Sequence, residues 1–451
     1  MTYEQLKTAI EEELAHNAMR IQTLLDAYAP VQDERRLVRP GENLQGALDD
    51  GGDISLEAGA TYEAQRFVFS KPTHLRGALG TRMVGTAGPA GHVKPGSSDI
   101  VIDSVQGYAK YQSVWQLGDN DARTQSRLED VPQRITLSRC GTPQHLGKTV
   151  FEVNAADVTL FGTAVSDVYD PAGSDSKAIA ILNTPGPVTV VSAVWSAGSM
   201  FALVGGDTMK IPGVIPSDIT YVDSTFFRPA AWRELGQPNR RFKCGLEWKT
   251  GRRIAVRRCT IDGCPQQAQP EGFAILLTPT RGGEIVGAVF EDLFIRNVSS
   301  GFNVNAYDTW GINHTRTTGI EIRRVDLVTN AKELGGHGRF ALLQNGVGTF
   351  DCEEVTAVID GTALLMADKG RLERVSFLNG RAVAGKYGFS FAGQHNTDRW
   401  HVGDSTGAGG VDQLDIRGNL FANAEPKLRA NFPDNRYVTR ELFNAEIGEG
   451  P

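Results

Sequence analysis

The side chains with chemistry to offer in this 451-residue chain are carboxylates, lysines and aromatic rings set in polar stretches between short apolar ones. One row stands out: Asp207 and Lys210, then Glu247 and Lys249, then Tyr307 and Asp308, each following an apolar segment. If those segments stack as neighbouring strands about 4.8 Å apart, carboxylates one or two strands apart reach the roughly 5–9.5 Å separation at which paired carboxyl groups cleave a glycosidic bond. Asp207 with Glu247 or Asp308 would then act as acid and as nucleophile or base. The same spacing also suits plain ion pairs, with Lys210 and Lys249 as the partners. Trp232, Tyr307, Trp310 and Trp400 fall in polar loops, where aromatic rings either stack on sugar faces or pack back onto the fold.

Other combinations offer less. His314, His337, His395 and His401 lack metal-ligand spacing, and His395 and His401 with Asp398 make only a weak set. The expectation is therefore no metal and no cofactor. Gly336-His337-Gly338 and Asn396-Thr397-Asp398 resemble two polygalacturonase signatures, but in reversed order, and the one Asp-Asp pair is Asp49-Asp50, far upstream. The Arg-x-Pro-x-x-Arg pattern of pectate lyases is absent.

The elements that must position these residues repeat. In Gly319–Asn330, Ile320 and Ile322 alternate with polar residues, Arg323 and Arg324 interrupt, and alternation resumes at Val325 and Leu327. That interruption requires a bend in the strand. The same frame recurs, so that starts fall at Val158, Val188, Ile219, Ile254, Ala288, Ile320 and Phe350, at spacings of 30, 31, 35, 34, 32 and 30 residues, and again at Leu372 and Leu414. A period of this size marks a solenoid, propeller or array. Each repeat holds only two or three short strands, and a propeller blade needs about four. A further strand, often opening with Phe, follows the frame at 201–204, 273–277, 302–304, 340–343 and 389–391, which predicts a Phe stack inside a tube. Asp167, Asn297, Thr329 and Asn423, nine residues after their frame starts, with Asn379 in the copy whose start is degenerate, predict a polar ladder at one turn. The fold expected is all-β: a right-handed parallel β-helix of ten or more rungs.

A net charge of −7 argues against nucleic acid as the main partner, and no apolar run approaches a membrane span. Five cysteines form no Cys-x-x-Cys pair and suggest no disulfide framework. The first residues lack a basic start and an apolar core, so no secretory signal peptide is read there and synthesis in a cytoplasm is expected. Residues 4–28 place Leu6, Ile10, Leu14, Ala18, Ile21, Leu25 and Tyr28 at helical spacing, an apolar stripe that must bury against something.

The expected order is an association or anchoring helix over 1–30, a linker and helical cap over 31–52, the β-helix over 53–425 and a tail or cap over 426–451. Excursions from the tube are expected at 104–133, 170–176, 229–242, 265–271, 307–318 and 394–412, two of which would wall a groove beside the carboxylate row. The stretches Pro40–Gln45 and Leu56–Tyr62 resemble the entry segment of the pectate-lyase-like β-helix superfamily, which includes polysaccharide lyases, glycoside hydrolases and bacteriophage tailspikes. Fold does not fix function. The resemblance implies a phage virion component, a spike or fibre, that binds bacterial surface polysaccharide through Lys210, Lys249, Trp232, Tyr307 and Trp310. It would be a homotrimer attached to other virion proteins by its N-terminal helix. A polysaccharide lyase or hydrolase, and a purely structural virion protein, are the alternatives. The tail after Phe421 is too short for the C-terminal trimerisation domain of many tailspikes.

Overall fold

The computed structural model describes residues 36–447, except 79, 111–112, 208–209, 234–240, 268–271, 362, 369, 386–387, 391–408 and 425. The helix expected over 4–28 lies outside the described residues, as do His395, Asn396, Asp398, Trp400 and His401.

The chain winds as a right-handed parallel β-helix built on two sheets. One has two strand segments per rung, 26 in all, and the other a single strand per rung, twelve in all, among the described residues. The frame read from the sequence is the repeating unit of the larger sheet. Val158 lies beside Val188, Ile254 beside Ala288, Ala288 beside Ile320 and Ile320 beside Phe350. Earlier rungs continue the column through Ile135 and Ile100. These side chains point inward and are buried, because alternate residues of a strand face opposite sides.

The bend falls where the alternation breaks. Asp223, Arg258, Asp292, Arg324 and Glu354 occupy it in successive rungs with φ of 51°, 49°, 55°, 49° and 54°. A left-handed residue turns the strand sharply at a cost of roughly 1–2 kcal/mol for a non-glycine. Their side chains interlock along the tube: Arg258 donates two hydrogen bonds to Asp223, at 2.6 and 3.1 Å, and Arg324 two to Asp292, at 2.6 and 3.2 Å. Asp218 and Arg253 repeat the device at the entrance to the frame, at 2.6 and 2.6 Å. Such exposed pairs contribute less than about 1 kcal/mol each, but their bidentate geometry suits a single register.

Three details differ from the expectation. The penultimate frame starts at Val375, not Leu372, since Val375 pairs with Phe350 and Phe377 with Cys352. Asn379, φ 54°, is therefore a member of the bend ladder, while Asp167, Asn297 and Asn423 hold left-handed positions at the later turn and Thr329 does not. The excursion placed at 104–133 is partly tube: Gln106–Ala109 and Ser113–Leu117 are strands, with Val114 and Trp115 wholly buried. The excursion proper is the loop between Leu117 and Gln133, which carries Asp119, Asp121, Arg123, Arg127 and Asp130.

From Phe151 onward aromatic rings run along the interior through Trp195, Tyr221, Trp248, Phe290, Phe302, Phe340, Phe377, Phe389 and Phe421, with neighbouring centroids 5.4–6.5 Å apart. Most contacts are edge-to-face, the arrangement ring quadrupoles favour. The stack draws on both sheets and includes Trp and Tyr. Phe273 departs from it and faces outward, against Met200, Cys244, Leu276 and Leu342. All five cysteines are buried free thiols.

Both ends of the described tube are covered. The helix Leu44–Asp50, capped by Asn43 accepting from the Gly46 N–H at 2.9 Å, buries Leu44, Ala47 and Leu48 over the first rungs. Arg36–Val38, inside the stretch expected to be a linker, is already a strand beside Gly52–Leu56. At the other end Arg436–Val438 adds a strand to Leu420–Ala422, and the helix Arg440–Ile447 lays Phe443 on the core. Among the described residues no helix is long and apolar enough to cross a membrane.

Candidate functional site

The smaller sheet presents its outer face to solvent and loops, and its register decides which groups meet there. One outward column runs Gln116, Glu152, Ala180, Leu203, Glu247, Leu276, Asn303. The adjacent column runs Thr149, Lys177, Met200. The first rungs carry Gln116 and Glu152 side by side with Thr149 and Lys177, and beyond them apolar Ala180, Leu203 and Leu276 are interspersed with Glu247 and Asn303. Over the polar part lies an open groove of about 630 Å³. Glu152, Lys177 and Ala180 form its floor. Asp119–Asp121 wall one side, and Gly205–Asp207 with Arg281 wall another. Gly206 has φ 90°, and a Cβ there would meet the Lys249 side chain at 2.6 Å, so the chain leaves the strand at a position only glycine fills easily.

Lys177 is the unusual group of this floor. Its side chain is nine-tenths buried, and its Nζ donates to the Asp175 carbonyl oxygen at 3.2 Å. Among the described residues no carboxylate lies within ion-pair distance of it. Burial pushes its pKa below the usual lysine value, against the opposing pull of Asp175, Glu152 and Glu247 at longer range. Lys243, a short way along the same face, shows the contrast. Burial works against its charge too, but Glu247 touches it at 2.7 Å and holds its pKa above the usual value.

The carboxylates around Lys177 are held. Glu152 accepts from Ser113 Oγ at 2.5 Å and Asn154 Nδ2 at 3.2 Å. Asp119 meets His92 Nε2 and Gln116 Nε2, both at 2.9 Å, and its pKa is lowered chiefly by the His92 contact. Asp207 accepts from Asn120 at 2.9 Å and lies 3.4 Å from Lys210 and 3.5 Å from Arg281.

The residues singled out from the sequence separate into three places. Asp207 and Lys210 stand together at the groove wall, as a pair. Glu247 and Lys249 also pair, at 3.0 Å, but Glu247 is only 1% exposed and sits between Lys243 and Lys249. It neutralises two amines on the sheet face and is not an open carboxylate. Asp308 is a loop anchor: it accepts backbone N–H groups from Gly282, Trp310, Ile312 and Asn313 at 2.8–3.2 Å. Burial opposes its charge, but these four donors prevail and lower its pKa. Of the row Asp207, Glu247, Asp308, only Asp207 lines the groove, while Glu247 is engaged by two lysines and Asp308 by four backbone N–H groups. Tyr307 and Trp310 are exposed on the Asp308 loop, and the Arg281 guanidinium covers Trp310 at 4.9 Å, which joins that loop to the groove. Trp232 lies apart, in the helical turn Ala230–Arg233, outside the groove lining.

Lys177, Glu152, Arg281 and the His92–Asp119 pair were not singled out from the sequence. A signal existed for Lys177, the one charge in Lys-Ala-Ile-Ala-Ile, but a lysine opening a strand is usually at its exposed edge. Among the described residues no cluster of three potential metal ligands occurs.

The sequence matches no protein-family profile and no curated protein. Among solved structures, a mannuronic acid specific polysaccharide family 6 lyase from human gut microbiota aligns with 92% of this chain and 94% of its own, at 10% identity and a TM-score of 0.50. The A-module of an Azotobacter vinelandii mannuronan C-5 epimerase aligns at 10% identity, TM-score 0.30, over 85% and 95%. The Streptococcus pneumoniae surface protein and adhesin PfbA aligns at 10%, TM-score 0.38, over 92% and 98%. At such identities the likeness is one of fold: the chain has a right-handed parallel β-helix architecture.

Proposed function

We propose that the protein acts on an acidic bacterial polysaccharide, which lies in the groove over Lys177 and is cleaved there by β-elimination. The observation that carries this reading is Lys177 itself, a desolvated amine with no contacting carboxylate among the described residues, on the floor of an open polar groove. A lysine with a lowered pKa is a competent general base near neutral pH. An amine base suits a carbon acid, and in a polysaccharide the acidic C–H is the one beside a uronate carboxylate. Lys177 would take that proton from carbon 5. The carbon–oxygen bond at carbon 4 would break, and the leaving oxygen would take up a proton, giving an unsaturated sugar and a new reducing end. Lys148 and Arg281, both lining the groove, supply positive charge for the uronate. Paired-carboxylate hydrolysis fits less well, because Glu247 and Asp308 are engaged elsewhere.

Binding of a surface glycan is the part of this reading that does not require turnover. A virion setting is a further part of the proposal: synthesis in a host cytoplasm, and attachment to other virion proteins as a homotrimer through residues 4–28. It rests on the apolar stripe of those residues and on the superfamily resemblance.

The test is incubation with alginate, polygalacturonate and a neutral glucan, with products weighed by mass spectrometry. Elimination gives oligomers at the mass of the intact repeat, with an unsaturated end. Hydrolysis adds one water per cut and would reject the role of Lys177. Binding without products would leave an adhesin.

A further inference from the structure

We propose that Trp310 and Arg281 form a second glycan subsite at the edge of the groove, where a sugar ring stacks on the indole and its carboxylate meets the guanidinium. This rests on the reading of the groove as a polyuronate site and adds where the chain goes on leaving it.

Tyr307, Trp310 and Ile312 are 37%, 62% and 64% exposed, three large apolar side chains within six residues. Exposed groups of this kind, clustered, mark an interaction surface. The loop that carries them is rigidly built. Asp308 collects the four backbone N–H groups described above, and Asn313 Nδ2 donates to the Gly282 carbonyl at 3.1 Å and to Glu284 at 3.3 Å. Thr309 N–H donates to the Pro279 carbonyl and its hydroxyl meets Thr280, both at 3.0 Å. The outward pose of Trp310 is therefore fixed before any ligand arrives, which lowers the entropic cost of binding. Arg281 gives the surface its direction. Its guanidinium lies over Trp310 on one side and 3.5 Å from Asp207 of the groove wall on the other. A flat ring beside a cation fits a sugar that has an apolar face and an acidic substituent. A purely apolar partner would leave Arg281 desolvated, and a polyanion without rings would leave Trp310 unused.

The test measures affinity of short and long oligouronates for the full chain bearing Lys177→Met, so that no cleavage intervenes, with dextran as the neutral control. Long oligomers should bind more tightly than short ones. Trp310→Ala should weaken the long oligomers about tenfold and remove most of the difference, while Trp310→Tyr retains part of it. Arg281 also faces the groove, so Arg281→Ala should weaken long and short oligomers, the long ones more. Asp308→Ala should match Trp310→Ala by releasing the loop, with thermal melting confirming that the tube stays folded. Equal affinity for long and short oligomers, or no effect of Trp310→Ala, overturns the subsite and leaves the groove. A change of oligomeric state on Trp310→Ala, without loss of glycan affinity, makes the loop a contact between copies instead. No binding of any uronate by the intact protein removes the groove reading first.

Discussion

Side chains on one sheet face meet different fates because of what touches them. Lys177 and Lys243 are both desolvated, yet their pKa values move in opposite directions, since only Lys243 has a carboxylate in contact. For Lys177 the sign matters twice. Its folded pKa lies below the usual 10.5, so folding disfavours its protonated form. That opposition is fully present below the folded pKa and fades as pH rises towards 10.5. Cleavage should rise with pH across the folded pKa, as the neutral amine becomes populated. Glu247 is the opposite case. Glu247→Ala would strand Lys243 and Lys249, the first of them well buried, and should cost about 3–5 kcal/mol, the penalty for breaking a buried pair from one side. Chemical denaturation checks this; a loss under about 1 kcal/mol would mean that water reaches the amines freely. The fates of these residues were not legible in the sequence. Asp308 and Asp207 look alike as loop carboxylates, and only the folded loop shows that one is saturated by backbone donors.

At the scale of the element, the rung was legible in detail. The inward positions of a stacked tube have near-identical surroundings in every turn, so the same small set of apolar residues recurs and the period shows. The bend was legible too, from Arg323-Arg324 interrupting the alternation, although its left-handed Asp–Arg ladder was not. Outward faces carry no such repetition, and the frame start at Leu372 was misread because Leu372 and Val375 are both inward and apolar, and only pairing separates them. Arg228 is another element-scale feature without a sequence signal. It is wholly buried between Phe201 and Phe242 and donates to five carbonyl oxygens, those of Ala197, Gly198, Ser199, Cys244 and Gly263, at 2.5–3.1 Å. The inward column supports a direct prediction. Val256 is fully buried, and Val256→Asp would place a charge there without a partner, costing several kcal/mol, of order 3–5. Melting like the wild type would contradict the assignment of the frame.

For the whole molecule, the tube provides a rigid face on which groups from separate rungs and loops keep fixed spacing, and the helix Leu44–Asp50 and the strand and helix after Pro426 cover its described ends. Covered ends prevent edge-to-edge growth. Self-association, if it occurs, must use another surface, and the proposal places it in residues 4–28. Light scattering should then give a trimer for the intact chain and a folded monomer after deletion of residues 1–30. A monomeric intact chain would contradict that assignment without touching the groove.

The central claim is that the amine of Lys177 does chemistry on a polysaccharide. Lys177→Met keeps the length of the side chain and removes the buried amine, so it should not destabilise the tube. The decisive measurement is the rate of unsaturated product formation from a polyuronate by the intact protein and by Lys177→Met, in matched folded samples. A general base contributes roughly 10²–10⁴-fold, and the account predicts a loss of that size with melting temperature unchanged or raised. Equal rates in the two proteins would contradict it.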